Sequence, residues 1–153
     1  MSQDRALFLW GGKMPELKTY DLFISHAWKY DFDYYGLVDL LKEFPYFRWR
    51  NYSVPKHDPL IDPKTIIGSL TLKNSLDRQI RPVNCVLVTA GMYVTYREWI
   101  QTEITIAKKY DKPIIGVVPW GQQKIPQGLQ EAADELVRWN ANSIVGAIRK
   151  WAL

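Results

Sequence analysis

Two short apolar runs limit the folds open to this chain more than any other feature. "VNCVLV" spans Val83 to Val88 and "PIIGVV" begins at Pro113 and ends at Val118. Neither alternates polar with apolar residues. A strand written this way is covered on both faces, which is typical of parallel sheets flanked by helices. A third core strand is "YDLFIS", Tyr20 to Ser25, and the aromatic-rich stretch Tyr46 to Asn51 reads as a second, partly exposed one. The segments between carry helical period. Asp33 to Phe44 places Leu37, Leu40, Leu41 and Phe44 on one face, and Pro45 ends it. Thr65 to Ile80 offers Ile66, Leu70, Leu72, Leu76 and Ile80 as inward positions. "TAGMYV" reads as a loop. Thr95 to Tyr110 is a helix with Thr95 as N-cap and Glu98 at capping-box spacing. A short helix at Gly128 to Ala133, a last strand at Glu135 to Trp139 and a final helix capped by Asn142 or Ser143 complete the chain.

Strands alternating with helices five times argue for an α/β fold with helices on both faces of a parallel sheet. The natural arrangement is a five-stranded open sheet of order 2-1-3-4-5 with right-handed crossovers. Ligands in such sheets sit beyond the carboxyl ends of the strands, where the strand order reverses. Here that lies between strands one and three. Ser25 and His26 leave strand one on this rim. The Pro-rich loop "YSVPKHDPLIDPK" brings Ser53, His57 and Asp58 to the same rim, and long loops in compact domains are often functional. The competing role for Ser25 and His26 is to cap the next helix or satisfy local backbone groups.

Several classes of function are disfavoured. The net charge is +4, but the basic residues are scattered, so a nucleic-acid tract is not expected. The single cysteine, Cys85, lies in an apolar run and reads as core; it permits no disulfide within the chain and suits a reducing cytoplasm. No apolar stretch reaches about 18 residues, so no membrane span is expected. "MSQDRALFLWGGK" lacks the basic start and long apolar core of a signal peptide. No glycine follows strand one until Gly36, which removes the P-loop and dinucleotide fingerprints. Two histidines and one strand cysteine lack metal-ligand spacing. Strand three ends in Thr89-Ala90-Gly91, without the aspartate a phosphoacceptor receiver needs. A triad of Ser25, His26 and Asp58 has no nucleophile-elbow sequence behind it.

The most informative segment is "YREWIQTEITIAKKY". Ile100, Ile104 and Ala107 form its core stripe. Trp99 and Glu103, at i and i+4, share a face beside that stripe. A carboxylate thus borders the apolar seam, one turn from a tryptophan. The bland alternative is a surface Glu103 paired with Lys108 or Arg97.

Four pieces together resemble a TIR domain, and more narrowly the TIR-like branch represented by ThsB of the Thoeris anti-phage systems. They are "YDLFISHAW", "RNYSVPKHDPL", "WIQTEI" and "KPIIGVVPWG", in order and on the expected elements. The resemblance covers roughly residues 18 to 151. It implies a flavodoxin-like TIR domain at residues 19–153, preceded by an extension at 1–18. It also implies cleavage of NAD+, as substrate and with no cofactor or metal, at the nicotinamide–ribose bond. Glu103 matches the family's catalytic carboxylate. Ser25, His26, Trp28, Ser53, Pro55, Asp58 and Trp99 are the implied substrate-binding positions. The implied product is an ADP-ribose-derived signal that activates a separate effector in the cytoplasm, with TIR–TIR self-assembly and neither nucleic-acid nor membrane partners. A non-catalytic scaffold acting through homotypic contacts is the alternative.

Overall fold

The computed structural model describes residues 18–25, 32–53, 66–95, 97–122 and 124–153. Five strands form one sheet: β1 (Thr19–Ile24), β2 (Arg48–Asn51), β3 (Cys85–Thr89), β4 (Ile114–Val118) and β5 (Glu135–Arg138). Its order is β2-β1-β3-β4-β5, and every pairing is parallel. The helices are α1 (Phe32–Glu43), α2 (Ile66–Ile80), α3 (Ala90–Thr95), α4 (Arg97–Lys109), α5 (Gln127–Ala132) and α6 (Ala141–Trp151). The architecture read from the two apolar runs is the one observed.

The strand alternation sorts the core into two layers. Leu22, Ile24, Cys85, Leu87, Ile115 and Val117 face α1 and α6. Phe23, Val86, Val88 and Ile114 face α2, α4 and α5. All ten are fully buried, so β1, β3 and β4 need apolar side chains on both faces. That is why their sequences read as runs rather than alternations. Edge strand β2 shows the opposite character, with Arg48 and Arg50 exposed. Arg50 is held by Asp21 across the β1–β2 pair, through Nε at 2.6 Å and Nη2 at 3.1 Å.

Four local expectations change. "TAGMYV" is helix α3, because Ala90 and Tyr93, three apart, are both buried on the α4 side and tertiary packing overrides a weak local signal. The helix expected from Thr95 begins instead at Arg97, Thr95 being the last residue of α3. Leu70 is exposed whereas Leu76 and Ile80 are buried. Leu70 and Leu72 lie two positions apart, about 200° around a helix, and cannot share one face. The last helix is capped by Asn140, whose Oδ1 accepts from the Ser143 amide at 3.0 Å.

Glycine spacing gives a paired test. A Cβ on Gly128 in α5 would overlap the Tyr93 hydroxyl, whereas one on Gly146 in α6 meets nothing within 4 Å. Gly128→Ala is expected to destabilise by about 1–3 kcal/mol through overpacking. Gly146→Ala is expected to stabilise by about 0.4–1 kcal/mol, by reducing unfolded-chain entropy. Urea unfolding of both variants checks this; equal effects would contradict the packing described.

Candidate functional site

The site is built where β1 runs out of core. The Ser25 amide donates to the Leu87 carbonyl at 2.8 Å, extending the β1–β3 ladder one residue past the strand. This fixes the Ser25 backbone as firmly as a strand residue. Because Phe23 faces α4, Ser25, two residues on, faces α4 as well. There its Oγ donates to Glu103 Oε1 at 2.6 Å. Both residues are fully buried.

α4 supplies the carboxylate from an apolar surface. Ile100, Ile104 and Ala107 form the expected stripe, and all three are buried. Glu103 lies inside this stripe rather than at its border, so the surface alternative for it does not hold. Glu98 and Lys108 are exposed, as expected. A carboxylate taken out of water loses much hydration free energy unless polar groups replace it. Ser25 is one such group, its hydroxyl 2.6 Å from Glu103 Oε1. Trp99, one turn earlier, is half-buried and packs against the same apolar layer, as does Tyr52.

The base of the loop after β2 is clasped nearby. The Tyr52 amide donates to the Leu22 carbonyl at 2.9 Å. Asn51 Oδ1 accepts from the Ser53 amide at 2.9 Å and from the Ser53 hydroxyl, while Asn51 Nδ2 donates to the Tyr34 hydroxyl at 2.9 Å. Ser53 is therefore buried as part of an Asx turn that closes the end of β2. Its hydroxyl is engaged with Asn51. His26, Trp28, Pro55 and Asp58 lie outside the described residues.

Sequence reasoning missed Asn51 and Tyr34. The Asn-x-Ser spacing at 51–53 is a findable signal, because an Asn side chain commonly accepts from the amide two residues on. The Tyr34 contact carries no sequence signal, since it joins residues through the fold.

Other features lie apart. An open groove lined by Lys73 of α2 with Arg97, Glu98, Gln101, Thr102 and Thr105 of α4 runs along the outside of the helices. Those α4 residues occupy the face away from Glu103. Cys85 is fully buried, and its thiol is pushed up to about 12, first by burial and then by the Asp134 charge. Among the described residues no helix is long and apolar enough to cross a membrane, and no group of three metal-ligating side chains is present.

A doubly wound parallel sheet with a buried serine–carboxylate pair at its carboxyl rim defines a flavodoxin-like domain whose polar chemistry gathers where such folds take ligands. A family model described as the Thoeris protein ThsB, TIR-like domain, matches residues 23–124, well over half of the chain. The protein belongs to that TIR-like family. No match is found among curated proteins.

Two measurements check this geometry. Ser25→Ala removes a donor from a buried carboxylate and is expected to lower unfolding free energy by about 1–3 kcal/mol; an unchanged urea midpoint would contradict the pairing. Iodoacetamide at about pH 8 should leave native Cys85 unmodified and alkylate it after unfolding; rapid native labelling would contradict its burial.

Proposed function

We propose that the protein cleaves NAD+ at the nicotinamide–ribose bond and passes the ADP-ribosyl unit into a nucleotide signal for a separate effector in anti-phage defence. The observation that carries the reading is Glu103: a fully buried carboxylate, hydrogen-bonded by Ser25 at the carboxyl end of β1. The sequence resemblance puts the catalytic carboxylate of TIR enzymes at this residue, which lies within the region matched by the family model.

The chemistry suits such a group. Breaking the bond leaves positive charge on the ribose C1′, and a fixed carboxylate stabilises that charge in a water-poor site. Nicotinamide departs neutral, so no general acid is required. The Ser25 hydroxyl holds Glu103 in one orientation, so the carboxylate needs little reorganisation as charge develops. Trp99 offers an aromatic surface one turn away, and Trp120, 83% exposed in the turn after β4, offers another at the same end of the sheet.

Glu103→Gln keeps the shape and removes the charge. With purified protein and NAD+, the wild type is expected to release nicotinamide and the variant to lose at least about 10²-fold in rate, with an unchanged circular dichroism spectrum. A folded variant with wild-type turnover would overturn the proposal.

A further inference from the structure

Asp33 forms the opposite wall of the same rim. It lies in the first turn of α1, on the sheet face away from α4. Its carboxylate reaches the start of α3: a Cβ on Gly91 would stand 2.8 Å from Asp33 Oδ2, with Pro119 Cγ and Gln122 Oε1 each 3.7 Å from that point. A side chain at position 91 would push the carboxylate aside. The surrounding chain ends belong to β3 and β4, so Asp33 sits at the carboxyl ends of the strands.

Its relation to Glu103 follows from topology. β1 sends its chain into α1 on one face, and β3 sends its chain through α3 into α4 on the other. Glu103 and Asp33 therefore lie on opposite faces of the sheet, both toward the carboxyl ends of its strands. Ser25, which holds Glu103, is bonded to Leu87, and Gly91 follows four residues later. Strand spacing and rise put Gly91 on the order of 10 Å from Ser25. Catalysis at a sugar carbon by two carboxylates divides the work between one that stabilises the carbon and one that takes the proton of the incoming nucleophile.

We propose, building on the NAD+ reading above, that Asp33 is the base on the acceptor side of the reaction. As the bond from C1′ to the nicotinamide nitrogen breaks, its electron pair stays on the ring nitrogen. The acceptor's oxygen or nitrogen forms the new bond to C1′ and gives its proton to the Asp33 carboxylate. The acceptor class is thus a neutral O–H or N–H nucleophile, water included. Burial raises the Asp33 pKa above its ordinary value, which strengthens it as a proton acceptor.

An anionic nucleophile needs no base, so sodium azide separates the two carboxylates. Nicotinamide release from NAD+ is measured for wild type, Asp33→Asn and Glu103→Gln, with and without azide. Asp33→Asn is expected to keep the KM for NAD+ and to lose about 10²-fold in kcat, with azide restoring most of the loss. Glu103→Gln should not be rescued. Gly91→Ala, which crowds the Asp33 carboxylate without altering its chemistry, should show a smaller, azide-responsive loss and covers the case in which Asp33→Asn fails to fold. A folded Asp33→Asn with wild-type kcat, or a loss that azide leaves untouched, overturns the role of Asp33 alone. A wild type that releases no nicotinamide overturns both this role and the NAD+ reading.

Discussion

The hydrogen bond from Ser25 to Glu103 ties together parts of the chain that the sequence separates by 78 positions. One end is fixed by the sheet, because the Ser25 amide completes the ladder to Leu87. The other is fixed by α4, whose isoleucines pack in the same layer as Phe23 and Val88. Neither element can shift without leaving a buried carboxylate poorly solvated, and that penalty is large compared with the net stability of a domain. The pair thus acts as a polar pin through an apolar layer. It sets where α4 sits along the sheet and holds a carboxyl group at the rim.

Around that pin the fold gathers polar groups at the carboxyl ends of the strands. α4 brings Glu103 and Trp99 on one face of the sheet, and the first turn of α1 brings Asp33 on the other. The Asn51 clasp holds the root of the loop after β2 against Tyr34, on the α1 side. The chains leaving β1 and β3 go to helices on opposite faces, and this, a consequence of strand order and right-handed crossovers, makes the crevice.

Much of this is legible in the sequence because it depends on periodicity. Strands buried on both faces announce themselves as runs, as in "PIIGVV", and the helix carrying Glu103 shows its apolar stripe at Ile100, Ile104 and Ala107. The strand order follows from chirality and from the alternation of strands with helices. What stays hidden depends on contacts between distant residues. The six residues from Ala90 to Thr95 have no strong helical signature, and their helix exists because Ala90 and Tyr93 find a core to enter. Hydrophobicity alone puts Leu70 inward, although its angle relative to Leu76 argues otherwise. The position of Glu103 is readable, but its complete burial is not, since nothing local shows that a serine 78 residues earlier solvates it. Asp33 reads as an ordinary acidic residue at a helix start, and only the fold sets it against Gly91.

Whether this crevice is a nucleotide site organised by the Ser25–Glu103 pair is tested most directly by NMR mapping of NAD+ added to the folded Glu103→Gln variant, in which cleavage is slowed enough for a complex to persist. Saturable amide shifts are expected at Ser25, from Val88 to Gly91 and at Trp99 and Ile100, with little change along the outer groove at Lys73 and Thr105. Shifts confined to that groove, or no saturable shifts at millimolar NAD+, would contradict such a site.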